Sequence, residues 1–135
     1  MPNRAIEIHD STLDSISILN GEAVLHFSSV YIHQSAGKPG TDAGTGWVQK
    51  ALLRIRQGVI KGSFSEFPRD LLDGHLKLGV LLLSNEIPIP LNYTGDVELR
   101  LESWGEIVVV TGASAELDLI GEPEYVEEFR PDRNS

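Results

Sequence analysis

The chain has no cysteine, which removes a disulfide framework, a cysteine-ligated zinc site and thiol catalysis together. It is short of cations, with 11 Lys and Arg against 20 Asp and Glu and a formal net charge of −9. The deficit is local. Residues 1–85 balance their charges, and the whole excess lies in 86–135, where Arg100, Arg130 and Arg133 face the remaining acids. Nucleic acid is therefore excluded as a partner, because phosphate neutralisation needs clustered Lys and Arg. The same excess suits a basic protein partner drawn in by long-range attraction.

Long apolar runs are missing too. None approaches the ~18 residues of a membrane-spanning helix, and the opening MPNRAIEIHD holds no apolar core of signal-peptide length. The expectation is a cytoplasmic protein in a reducing compartment, with no membrane partner. A length of 135 residues fits one domain that needs neither metal nor disulfide to fold. The expected boundaries are a single domain over 1–128 and a frayed tail over 129–135.

What is present is period-two patterning. In LDSISILNGEAVLHF, Asn20-Gly21 separates two alternating runs, the strongest short hairpin signal. A two-residue loop pairs Ile18 with Ala23 and Ile16 with Leu25, sets Asp14 opposite Phe27, and gathers the apolar residues on one face. Past Phe27 the phase slips, since Val30 and Ile32 have the opposite parity. An extra residue at Ser28-Ser29, a β-bulge, repairs it. Tyr31 and His33 then face away from Val30 and Ile32.

Further on, WVQKALLRIRQGVIKGSF reads as strands around Gln57-Gly58, with a helix over 48–56 as the alternative. SEFPRDLLDG reads as a helical turn ending at Asp73-Gly74. HLKLGVLLLS reads as one strand whose second half is buried on both faces. Pro88 and Pro90 bar a central strand in NEIPIPLNYTGD. In DVELRLESWGEIVVVTG, Val97, Leu99 and Leu101 point inward, and Trp104-Gly105 makes either a two- or a three-residue turn. AELDLIGE is the final clear strand. Eight or nine short strands with at most one short helical turn predict an all-β antiparallel sandwich or barrel.

Three constellations carry candidate chemistry. HQSAGKPGTDAGTGWVQ is rich in glycine, but Lys38 precedes Pro39 and no helix follows Gly46, so it is no phosphate loop. Lys38-Pro39-Gly40-Thr41 fits a type II turn. A structureless connection of ~12 residues is uncommon unless it binds or covers something. Its flanking Tyr31, His33 and Trp47 are side chains of the kind that build binding surfaces. In IHDST, three consecutive residues cannot converge as a Ser-His-Asp triad. Asp10 or Ser11 is expected to bond the backbone of a turn, while His9 and Asp10 stay candidates for acid/base work. With four histidines and no H-x-H or H-x-x-x-H pair, neither a metal nor another cofactor is expected. In EYVEEF, Glu127 and Glu128 point apart on a strand, so the exposed acidic-aromatic stretch of Tyr125, Glu127 and Glu128 suits edge pairing with another chain, the alternative being that Tyr125 and Phe129 pack into the chain's own barrel.

The opening HDSTLDSI, carried by His9, Asp10, Ser11, Leu13 and Ile16, and the closing GEPEYVEEF resemble small uncharacterised bacterial all-β proteins. Some of these are classed as immunity proteins of polymorphic toxin systems. The resemblance implies a non-catalytic bacterial binding protein, in its most concrete form an acidic immunity-like inhibitor of a basic partner. The residues leave open a homodimer through a sheet edge. They also leave two other readings: a small-molecule-binding barrel with a site near Tyr31, His33 and Trp47, and a small hydrolase or isomerase using His9 and Asp10.

Overall fold

The computed structural model describes residues 3–130. It contains ten strands and, among the described residues, no helix. They are β1 (Asn3–Leu19), β2 (Glu22–Ser35), β3 (Gly44–Arg56), β4 (Val59–Lys61), β5 (Arg69–Asp70), β6 (Asp73–Leu78), β7 (Leu81–Ser84), β8 (Glu86–Ile89), β9 (Asn92–Ser103) and β10 (Glu106–Phe129). All pair antiparallel in one curled sheet, a half-barrel in the order β5-β1-β2-β3-β10-β9-β6-β7, with β4 on β10 and β8 on β1. No helix among the described residues is long and apolar enough to cross a membrane.

Turn chemistry fixes the first hairpin. Asn20 and Gly21 take φ of 52° and 79°, the left-handed pair a type I′ turn requires, and Ile18↔Ala23 and Ile16↔Leu25 follow in register. Asp14, expected opposite Phe27, is instead bulged out between Ser15↔His26 and Leu13↔Phe27. Burial decides this: Leu13 is fully buried, and giving it the inward place is worth roughly 1.5–3 kcal/mol. Ile18, expected inward, is half exposed because the hairpin end overshoots the core.

The bulge at Ser28-Ser29 is present. Pairing with β3 passes from Phe27↔Ala51 to Val30↔Gln49, so two residues oppose Lys50 and both Phe27 and Val30 reach the core. Residues 48–56 are strand. Ala51, Leu53 and Ile55 are buried while Arg54 and Arg56 alternate outward, a period no helix fits. Trp104-Gly105 is a two-residue turn, with Ser103↔Glu106 closing it.

Two further expectations fail. The segment after Phe64 makes no helical turn; it bends and adds β5 to β1. Tertiary bonds override the local signal there. Arg69 is buried, donates to Ser103 and pairs with Glu106, while Leu71 plugs the core and its N–H donates to Ser11 O. The HLKLGVLLLS run is not one buried strand but the hairpin β6–β7, turning at Gly79-Val80 with Leu78↔Leu81. Val80, Leu81 and Leu82 are exposed. An unbroken apolar run has no phase, so it cannot show which side meets water.

The core fills the concave side with Leu25, Leu53, Ile55, Leu76, Leu99, Leu101, Val108 and Val110. Asn85, left-handed at φ 57°, bridges the open side: it accepts from Ile8 N–H at 3.2 Å through its carbonyl and donates to Gly74 O at 2.9 Å.

Candidate functional site

The β1–β2 ladder breaks between Glu7↔Tyr31 and Thr12↔Ser29, leaving Ile8–Ser11 opposite Val30 alone. The excess is absorbed by Asp10 at φ 74°. His9 N–H donates to Asn85 Oδ1 at 2.7 Å, and Ser11 Oγ donates to Glu7 O at 2.7 Å while accepting from Tyr31 N–H at 3.1 Å. Ser11 thus makes the side-chain-to-backbone bonds expected of this motif, inside a bulged strand rather than between strands. The Asp10 carboxylate lies 3.1 Å from His9 Nδ1, and both side chains are more than half exposed. Glu7, His9 and Asp10 bring one ligand atom each within 4.8 Å of one another. Two carboxylate oxygens and an imidazole nitrogen are the donor types a hard or borderline divalent cation accepts. As an acid/base pair, His9 and Asp10 face open solvent, with no hydroxyl nucleophile bonded to the imidazole among the described residues.

Next to the bulge, Tyr31 Oη donates to Glu127 Oε1 at 3.0 Å. Burial pushes the phenol well above its ordinary range, and the Glu127 acceptor, its charge, and the charges of Glu7 and Asp10 push the same way. Gly46 lies beneath the ring, where a Cβ would overlap the phenol. His33, 1% exposed, accepts the Gly40 N–H on Nδ1 at 2.6 Å and meets Phe129 edge-on at 4.2 Å between centroids. That short contact makes Nδ1 an acceptor, so the 3.6 Å approach of Glu7 Oε1 is no ion pair. The ring hydrogen sits on Nε2, which is buried without a partner among the described residues. A cleft of about 320 Å³ is lined by Glu7, His33, the Lys38–Thr41 turn and the Leu82–Glu86 segment.

The glycine loop is shorter than expected. Strands β2 and β3 extend to Ser35 and Gly44, leaving only Ala36–Ala43 between them. Gly40 at φ 84° and the Thr41 N–H to Lys38 O bond of 3.1 Å form the expected type II turn. The Asp42 carboxylate accepts from the Lys38 N–H, so the loop spends its acid on itself.

Tyr31, His33 and Trp47 do not share a surface. Trp47 pairs with Ile32 and so faces the other side, where it packs edge-on against Tyr125 at 5.4 Å. A bulge at Val126, between Tyr125↔Trp47 and Glu127↔Gly46, sends Tyr125 and Glu127 to opposite faces despite their even spacing. Glu128 is exposed and bonds Arg130 at 2.6 Å. Phe129, placed by expectation in the tail, is the last residue of β10 and pairs with Gly44. Residues 131–135 lie outside the described residues.

The far half of β10 is the most open part of the sheet. Ile120–Glu128 are exposed throughout, with Ile120, Tyr125 and Val126 among them. Strand β9 reaches only to Glu116, and Leu117 N–H donates to Leu91 O. Beyond that, β3 is the only strand pairing with β10 among the described residues, so one long edge stays free. Asp118, Glu122, Glu124, Glu127 and Glu128 lie along this stretch.

Sequence reasoning passed over Glu7, Asn85, Asp70 and Trp104. Glu7 had a signal, because IEIH alternates and places Glu7 and His9 two apart. Asn85 and Asp70 had none, since each acts through a partner more than 50 residues away. No protein-family model, no curated protein and no solved structure matches the chain.

Proposed function

We propose that the chain is a non-catalytic binding protein that takes a basic, extended partner along the free edge of β10. The observation that carries this reading is the stretch Ile120–Glu128, exposed at every residue and, where it pairs at all (Ile120, Glu124, Tyr125, Glu127 and Glu128), paired with β3 alone among the described residues. A free edge offers N–H and C=O groups in strand register, and strand addition is a common way to satisfy them. Five carboxylates in Asp118–Glu128, of which Asp118 and Glu128 are paired with Arg54 and Arg130, leave a net negative field that selects a cationic partner and speeds its approach. The exposed Tyr125, packed on Trp47, and Val126 supply apolar contact between them. Pro123 removes one donor and the bulge at Val126 breaks the register, so the edge takes short segments on either side of Pro123. Two copies would bring like charges together, which favours a basic partner over self-pairing. An immunity-like inhibitor of a basic toxin is one form of such a protein.

The test uses a fluorescent peptide of alternating Lys and Val and its Glu-Val counterpart, with anisotropy read at low and at physiological salt. The Lys peptide is expected to bind, and E122Q/E124Q/E128Q to weaken it roughly tenfold and flatten its salt dependence. Glu127 is left intact because it holds Tyr31. Equal binding of the Glu peptide, or a triple variant with unchanged affinity and salt slope, refutes the reading.

A further inference from the structure

Among the described residues, five other than glycine have left-handed backbone: Asp10, Asn20, Gln57, Asn85 and Trp104. Asn and Asp accept that conformation at little cost, and Trp does not. Trp104 is nonetheless there at φ 49°, with its side chain 72% exposed, so neither backbone preference nor burial accounts for it. It lines a cleft of about 300 Å³ together with Asp10, Ser11, Thr12, Asp70, Leu71 and Leu72.

The walls come from three segments sewn together beneath the cleft. Ser103 Oγ, fully buried, donates to Asp70 O, and Arg69 donates to Ser103 Oγ and O at 3.0 and 3.1 Å. Leu71 N–H and Leu72 N–H donate to Ser11 O and Glu102 O, each at 2.9 Å. Thr12 Oγ1 donates to Asp70 Oδ1 at 2.9 Å and orients that carboxylate. The one buried cation nearby, Arg69, is engaged by Glu106 at 2.6 Å and stacks over Phe64. Its charge is spent away from Asp10 and Asp70. Among the described residues lining the cleft none is basic, and His9 approaches from outside it, with Nδ1 3.1 Å from the Asp10 carboxylate.

An exposed indole, two carboxylates and the partly exposed Leu72, seated over the core residue Leu71, match one ligand chemistry. A compact organic cation gains the attraction of the ring face, for which Trp is the best partner, and the charge of the carboxylates. The volume suits a single such group rather than a large ligand. We propose that this cleft binds the guanidinium of an arginine residue or a substituted ammonium group. The site is independent of the β10 edge: Trp104 precedes β10, and the exposed acidic stretch begins fourteen residues after Glu106. Failure of either test leaves the other standing.

The experiment follows the two indole Nε1–H resonances of the full chain, assigned with Trp104→Phe, during titration with N-acetyl-arginine amide, tetramethylammonium or the uncharged citrulline amide. The Trp104 signal is expected to shift saturably with at least one of the two cations while Trp47 stays still, and citrulline amide is expected to leave both in place. Whichever cation binds more tightly identifies the source, guanidinium or ammonium. Asp10→Asn, which keeps a residue tolerant of positive φ, and Asp70→Asn, which keeps the Thr12 acceptor, each weaken binding roughly five- to tenfold. Equal binding of citrulline amide, a shift produced by methyl glucoside instead, absence of a saturable shift with either cation, or full affinity in both Asn variants would overturn the proposal.

Discussion

Tyr31 and Glu127 stand 96 residues apart in sequence and meet in one hydrogen bond of 3.0 Å, reaching across β3 to join β2 to β10. The bond exists because Gly46, between them, carries no side chain. Tyr31→Phe keeps the ring and removes the donor. Glu127 is exposed and recovers water, so the loss is expected at about 1 kcal/mol, read from urea midpoints at neutral pH. The alkaline limb gives a second check. Burial first, and Glu127 second, favour the neutral phenol in the folded state. That contribution is complete below the ordinary phenol value of about 10 and is lost as pH rises beyond it. The wild-type midpoint therefore falls as pH rises beyond about 10, and the fall is smaller in Tyr31→Phe. Equal falls in the two proteins would remove Tyr31 as its source.

Gly46→Ala should do the same damage by another route. The new Cβ overlaps the phenol, whose Oη and Cζ it meets first. Tyr31 must swing away from Glu127, and overpacking costs about 1–3 kcal/mol. In Gly46→Ala/Tyr31→Phe the two losses should not add, because they break one contact. Additive losses in the double variant would mean that Gly46 is needed for a reason other than Tyr31.

The fold was legible wherever local chemistry and burial agree. Asn20-Gly21 set both the turn and the register, and the parity change between Phe27 and Val30 revealed the bulge before any pairing was known. It was illegible where tertiary bonds decide. Nothing local to Pro68-Arg69 says that Arg69 turns inward to Ser103, whose own environment is set by the Trp104 hairpin. The candidate site suffers from the same limit. Tyr125 and Glu127 have the spacing of one face, and only the bulge at Val126 parts them. Trp47 neighbours His33 and Tyr31 in the chain's path yet lies on the reverse side, because strand alternation outweighs proximity.

Glu106 ties acid stability to the Arg69 network. The Ser65 N–H, then the Ser65 hydroxyl and the Arg69 guanidinium, hold its carboxyl below the ordinary carboxylate range. A lowered folded value contributes stability above the unfolded value, and that part is lost as pH falls through the folded one. Glu106→Gln is expected to lower the urea midpoint at pH 7 and to flatten its decline on acidification. Ser103→Ala strips the buried Arg69 and the Asp70 carbonyl of a shared partner and should cost about 1–3 kcal/mol. An acid limb identical in Glu106→Gln and wild type would move the acid sensitivity to another carboxylate.

Trp104 separates stability from binding. Two-residue hairpin turns of this hand favour Asn-Gly, and the chain itself uses that pair at Asn20-Gly21. A non-glycine residue held left-handed costs about 1–2 kcal/mol, a cost that Asn largely escapes. Since the indole is mostly exposed, Trp104→Asn gives up little packing. It is expected to stabilise the protein by about 0.5–1 kcal/mol in urea unfolding, while abolishing the binding of arginine amide or tetramethylammonium, read in this variant from the backbone amides of Thr12 and Asp70 rather than from the indole. A residue that lowers stability where a better one is available marks a position kept for contact with something outside the fold. If Trp104→Asn instead destabilises by 1 kcal/mol or more, the indole is bracing the Leu72 wall and its exposure has a structural cause.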